Sequence, residues 1–461
     1  MADTTQHVEL EKSLGLLEAT TIVMGSMIGS GIFIVSADIA RQTQSPGLLL
    51  CTWIATALLT LIAALSYGEL AAAMPHAGGQ YVYLREAFGP LPGFLYGWTM
   101  FLVIQTGTIA AVAVAFAKFA SVFFPWISPD NVLLSAGPLR LTAQQLVGIA
   151  VLIGLTWINT RGVRLGAMVQ NVFTIAKTGA LLGLILLGVL AGRNSDAVAR
   201  NFSNFWGNSH LGFDALRVIG VAMVGSLFSS DSWNNVTFAA AEIRNPRRNV
   251  PLALGLGVSI VSALYLASNW VYLTVLPFDA IQSAPQDRVG TAVGAAILGP
   301  IGVSIMAAAI MVSTFGCVNG LVLAGARVYF AMANDGLFFR QAAHIHPERR
   351  TPDISLWAQC LWACLLTLSG SYGDLLDYVI FAVLLFYVMT IAGIFVLRAK
   401  RPGMERPYRA IGYPLLPALY IALASTIEVL LLMYKPSYTW PGLLIVLTGI
   451  PAFLFWRKKE A

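Results

Sequence analysis

Gly25-Ser26-Met27-Ile28-Gly29-Ser30-Gly31-Ile32-Phe33 lies inside an apolar run long enough to cross a membrane, yet it holds three glycines and two serines in nine residues. Each glycine inside a helix costs about 1 kcal/mol relative to alanine. In hydrocarbon, every backbone N–H or C=O released by a break must find another partner. A break here is tolerable only where it faces protein, water or a ligand. The N–H groups that open the second half-helix carry partial positive charge and form a seat for an anion such as a carboxylate. An interrupted membrane helix of this kind is the physical form of a solute site at mid-membrane.

The rest of the chain supports that setting. Of 461 residues, 57% are hydrophobic and only 11% charged, against about 25% charged in soluble domains. Mean hydropathy is +0.74. Runs of about 20 apolar residues fall at 16–40, 47–73, 90–122, 143–160, 167–191, 214–242, 251–276, 291–332, 354–369, 373–398, 413–433 and 439–456. The eighth is too long for one simple crossing and is expected to tilt or to project beyond the bilayer. The expected architecture is an all-α membrane protein of twelve spans. Most of the 28 Lys and Arg residues fall in loops on the side of the N-terminus, which places both termini in the cytoplasm. The net charge of +6 is topological on this reading, and no nucleic acid is expected. The polar start, residues 1–13, reads as a cytoplasmic tail and not a signal peptide; residues 457–461 form a second tail.

A second interruption lies five spans after the first, near Phe228-Ser229-Ser230-Asp231-Ser232. Ser and Asp compete with helical backbone bonds and favour unwinding. Five is odd, so the halves run in opposite directions, as expected of a five-plus-five inverted repeat. Residues 14–399 would form that core, with the last two spans (400–456) outside it. Carbonyls released near Phe228 would accept from an ammonium group, and amides near Gly29 to Gly31 would donate to a carboxylate. Together they describe a receptor for a zwitterion, an α-amino acid. The candidate site is therefore Met27, Ile28, Gly29, Ser30 and Gly31 facing Phe228, Ser229, Ser230 and Asp231, with Phe228 as a gate. Trp233 either supports the pocket or is simple core.

Two ions stand out within the spans. Lys177 lies centrally in the fifth, too deep to snorkel. Its ammonium either occupies the place of a sodium ion and bridges the broken helices, or exchanges a proton. Asp231 forms a structural pair, caps a half-helix, or attracts a cationic substrate. Glu69 and Glu242 near span ends read as solvated or paired. Cys51, Cys317, Cys360 and Cys364 all fall in spans and read as small buried apolar residues. No metal-ligand cluster or nucleophile–base arrangement is present, so no metal, cofactor or enzymatic activity is expected.

With these motifs placed, the chain resembles the amino acid–polyamine–organocation superfamily, and within it the L-type amino acid transporter family in its bacterial form. The resemblance rests on GSMIGSGIF (25–33), SYGELAAAMPHAGGQYVYLREAFG (66–89), Lys177, FSSDSWNNVTFAAAEIRNPRRNVP (228–251), STFGCVNGLVLAGARVYFAMANDG (313–336) and ERPYRAIGYPLLP (405–417). It implies a LeuT-like fold and sodium-independent amino acid transport, often by exchange, in a bacterial inner membrane. It assigns the carboxylate to the amides of Gly29, Ser30 and Gly31. The amino group goes to carbonyls of Met27, Phe228 and Asp231, the outer gate to Phe228, and the span-five lysine to Lys177. Ser232 stands where the family often has a small residue before the Trp, and some members that handle cationic substrates also carry an acid at the position of Asp231. Animal members join a glycoprotein through a cysteine between spans three and four. Residues 123–142 contain none, so no disulfide-linked heavy subunit is expected. The competing expectation is proton-coupled uptake, or uptake of cationic amino acids or polyamines.

Overall fold

The first apolar run is divided where its glycines fall. In the computed structural model, which describes residues 12–136, 139–207, 212–369 and 372–458, α1 (Leu16–Met27) and α2 (Gly31–Thr43) are separated by three non-helical residues. Ser45 caps α3 (Pro46–Ala73), its side chain accepting from the Leu48 N–H, with Pro46 at the first helical position. There the missing proline N–H costs nothing. Then follow α4 (Gln80–Phe88), α5 (Pro90–Thr99), a π-helical turn over Met100–Ile104, and α6 (Gln105–Ala120). The chain continues through α7 (Ala143–Thr160), α8 (Val163–Leu190), α9 (Ser195–Ser203), α10 (Phe213–Ser229) and the short α11 (Asn235–Phe238). Next come α12 (Pro246–Val275), α13 (Phe278–Gln282), α14 (Val289–Leu298), α15 (Pro300–Asn334), α16 (Asp353–Ser369), α17 (Tyr372–Lys400), α18 (Leu415–Tyr434) and α19 (Pro436–Lys458).

Among the described residues, ten helical segments are long and apolar enough to cross a membrane. The two other expected crossings are α16, with 17 residues, and the interrupted pair α10–α11. This is a multi-pass membrane protein.

The packing repeats on a shift of five spans. α3 packs on α10, and α12, its counterpart, packs on α1; α1 meets α8 as α10 meets α17; α6 meets α7 as α15 meets α16. Two pairs are their own counterparts and join the halves, α3 with α12 and α6 with α15, and the contact of α2 with α10 is matched by that of α11 with α1. An odd shift reverses direction through the membrane, so these contacts support the inverted repeat. α18 and α19 pack on its outside, against α17 and against α3 and α5 respectively.

The structure departs from the sequence reading in three places. The eighth run is two helices, α14 and α15, parted at Gly299 (φ 65°) and restarted by Pro300. A Gly-Pro pair is a turn signal, here masked in the sequence by apolar residues that continue on both sides. Between α6 and α7, β1 (Val132–Ala136) pairs antiparallel with β2 (Leu139–Thr142), a hairpin absent from the all-helical expectation. Finally, the second break begins later than expected: Phe228 and Ser229 still belong to α10, and residues 230–234 are unwound.

Glu69 is fully paired. It accepts from Arg398 at 2.9 and 2.7 Å, lies 3.3 Å from Arg406, and accepts the Ala410 N–H at 2.7 Å. One buried carboxylate thus pins the 401–414 loop to α3.

Candidate functional site: two facing helix breaks

Ending α1 at Met27 strands the carbonyls of its last turn, and side chains from other helices take them up. The Lys177 ammonium, on α8, donates to Gly25 O at 2.6 Å, Ile28 O at 2.7 Å and Ser313 O at 3.4 Å. Ser313 Oγ, on α15, donates at 3.1 and 3.0 Å to Ile28 O and Gly29 O, and Cys317 Sγ reaches Ser26 O at 3.0 Å. Lys177 is 1% exposed. It joins α1 to α15; the expectation that it bridges the two broken helices is corrected by this geometry.

That bridge is made by a residue the sequence did not single out. Tyr265, on α12, places its hydroxyl 2.9 Å from Met27 O and 3.1 Å from Ser229 O, the last carbonyls of the two half-helices. The breaks also touch directly. A Cβ on Gly31 would lie 2.0 Å from Ser229 Oγ and 2.9 Å from Ser229 Cα, so only glycine lets the N-terminus of α2 approach the end of α10 this closely. Gly31 is the first residue of α2, where the N–H groups have no intrahelical acceptor.

The second gap turns on Ser232, whose φ of 65° is left-handed. The Asp231 N–H closes back on Phe228 O at 3.2 Å, so that carbonyl, expected to be free, already accepts a backbone bond. The Asp231 carboxylate accepts from Tyr387 Oη, on α17, at 2.6 Å. Among the described residues no Lys or Arg pairs with it. Trp233 is packed edge-on against Tyr67 (centroids 4.8 Å apart) and tilted against Tyr387 (5.1 Å). It belongs to the wall of a small cavity and to the core at once. Phe228 is buried at the last turn of α10.

Two cavities meet here. One, of ≈ 20 Å³, is lined by Ser230, Asp231, Trp233, Tyr387 and Tyr420. The other, of ≈ 10 Å³, lies against Gln80, Tyr96, Asn234, Asn235, Asp231 and Tyr387. On this scale a single water needs about 10–15 Å³, so the centre is closed around at most a water or two. Asn234 donates to Gln80 Oε1 at 2.8 Å, while Asn235 Nδ2 and Tyr96 Oη, both buried, have no hydrogen-bond partner among the described residues.

The structure therefore brings together Met27, Ile28, Gly29, Gly31, Ser229 and Lys177 as one bonded group, with Ser30 as the N-cap of α2. Ser230, Asp231 and Trp233 form an adjoining group around Tyr387. Sequence reasoning missed Tyr265, Ser313 and Tyr387, which are single hydroxyls in apolar helices and carry no local signal. It also missed Glu428, an acid inside α18 whose Oε1 is buried without a hydrogen-bond partner among the described residues. Among the described residues no group of three His, Cys, Asp or Glu side chains comes together.

Comparison with known proteins covers the same elements. The chain is 31% identical over 462 residues to Asc-type amino acid transporter 1 of Mus musculus, spanning 99% of this chain and 83% of that protein. It is 32% identical to large neutral amino acids transporter small subunit 2 of Homo sapiens, spanning 98% and 82%. To b(0,+)-type amino acid transporter 1 of Mus musculus it is 30% identical over 450 residues, spanning 97% and 88%. The amino acid permease model matches residues 14–453, a stretch that takes in both breaks and every side chain joining them, and the chain belongs to the amino acid permease family.

Proposed function

We propose that the protein exchanges neutral L-amino acids across a cell membrane by alternating access, without sodium. The observation that carries this reading is the meeting of two interrupted helices at Gly31 and Ser229. The N-terminus of α2 offers N–H donors to a carboxylate, and the end of α10 offers carbonyls to an ammonium. Gly29, Ser30 and Gly31 take the first role; Met27, Phe228 and Asp231 take the second, with Phe228 as the gate. Independence from sodium follows from Lys177, whose ammonium already saturates the carbonyls that a metal cation would need. The relatives named above are amino acid transporters by name.

The closed centre fits a carrier. A cavity of ≈ 20 Å³ admits no amino acid, so loading requires the half-helices to part on one side while the other stays shut. Substrate shifts that equilibrium only through its different affinity for the two states. Residues 14–399 form the moving repeats, and residues 400–456 the outer pair. The arginine-rich loops support a cytoplasmic position for both termini. One relative is named a small subunit; here all four cysteines lie in α3, α15 and α16, so this chain forms no disulfide to a heavy subunit. In proteoliposomes without sodium, labelled neutral amino acid is expected to enter amino-acid-loaded vesicles at least tenfold faster than empty ones. Equal rates in both would end the exchange reading.

The Asp231 carboxylate favours a second reading, uptake of a cationic amino acid or polyamine, or coupling to a proton. It is 6% exposed and its recorded side-chain partner is a neutral hydroxyl. A buried carboxylate without a cation is costly and marks function at membrane depth. On this reading Asp231→Asn lowers arginine uptake about tenfold or more, the factor given by 1.4 kcal/mol, and spares leucine. Unchanged arginine uptake removes the reading.

A further inference from the structure

A groove lies away from the transport centre, where α3 and α12 cross near the 402–414 loop. It encloses ≈ 730 Å³. Its floor is Gly255, above which a Cβ would meet only Leu65 Cδ2 at 3.7 Å. Its walls are apolar: Leu61 and Leu65 from α3, exposed Leu252 and Leu256 from α12, and Ile411 from the loop. Its mouth is cationic. Arg247 and Arg248 stand in the first turn of α12, where the helix dipole adds positive charge. Arg247 is neutralised by Glu405 at 2.8 Å. Arg248 is exposed, and its side chain has no acidic partner among the described residues.

The groove's length decides what it fits. From Arg248 to Ser259, the deepest lining residue on α12, eleven helical residues rise about 17 Å. That is about one leaflet of a hydrocarbon core roughly 30 Å thick. A slot one leaflet deep, apolar along its length and cationic at the surface, matches a phospholipid with an anionic headgroup. We infer that this groove is a binding site for one anionic phospholipid, its phosphate at Arg248 and an acyl chain over Gly255. The site lies against the α3–α12 pair that joins the two repeats, and Tyr265, the bridge between the breaks, stands on the same helix.

The test is native mass spectrometry of the delipidated, purified chain offered equal amounts of phosphatidylglycerol and phosphatidylcholine with identical acyl chains. The wild type is expected to retain phosphatidylglycerol about fivefold over phosphatidylcholine, the contribution of one arginine at a membrane surface. Arg248→Gln, at an exposed position, is expected to abolish that preference. Gly255→Leu, which fills the floor, is expected to reduce retention of both lipids. Equal retention of the two lipids by the wild type, or an undiminished preference in Arg248→Gln, overturns the proposal.

Discussion

Replacing Lys177 with methionine is expected to abolish transport and lower the melting temperature, because the ammonium is the group that lets α1 end where it does. Without it, Gly25 O has no donor, while Ile28 O retains Ser313 Oγ at 3.1 Å. One buried carbonyl left unsatisfied costs about 1–3 kcal/mol, and the missing cation removes a charge-assisted bond besides. The cheapest relaxation extends α1 through residues 28–30 so that helical N–H groups serve its carbonyls. That would erase the donors at the start of α2. Lys177→Arg is expected to fail as well. Gly316 and Phe173 crowd the spot, with the Gly316 Cβ position 3.7 Å from Nζ, and a planar fork does not fit where a compact point charge does. Uptake into proteoliposomes and a thermal melt check both variants; full uptake with Lys177→Met would show that the ammonium does not support the break.

The second large effect is structural. Arg327 and Glu242 are 2% and 0% exposed at their side chains and share two bonds, Nε to Oε1 at 2.9 Å and Nη2 to Oε2 at 3.0 Å. Arg327 also donates to Leu323 O. Glu242 closes the segment that follows α11, and its backbone O accepts the Leu14 N–H at 3.0 Å, while the Arg244 N–H donates to Leu14 O at 2.7 Å. A single buried pair thus ties α15, the end of the second broken span and the entry to the first. Removing one partner of such a pair leaves a bare buried charge, at a cost of about 3–5 kcal/mol. Arg327→Met is therefore expected to be strongly destabilised, and the double variant Arg327→Met, Glu242→Gln less so than either single change. Additive losses would mean that the two charges do not act on each other.

Much of this was legible in the sequence, for reasons of local chemistry. Glycine and serine inside an apolar run are poor helix formers wherever they occur, so the interruption after Met27 showed itself without any tertiary knowledge. Glu69 and Glu242 near span ends were read as solvated or paired, and both proved paired. The second break was displaced by two residues. Phe228 and Ser229 are acceptable in a helix, and the turn is set by Ser232 entering the left-handed region, which packing imposes. Tyr265, Ser313 and Tyr387 were invisible because a hydroxyl in an apolar helix gains meaning only from what faces it. The facing partner of Lys177 was wrong for the same reason: depth in the span shows that a lysine must be bonded, and not to which helix.

The most direct test is a cryo-electron microscopy map of the protein with a saturating neutral amino acid. The account predicts density between the two breaks, carboxylate against the Gly29–Gly31 amides and ammonium against the carbonyls at Met27 and Phe228, with Tyr265 beside it. Substrate bound elsewhere, or helices running unbroken through residues 28–30 and 230–234, would contradict it.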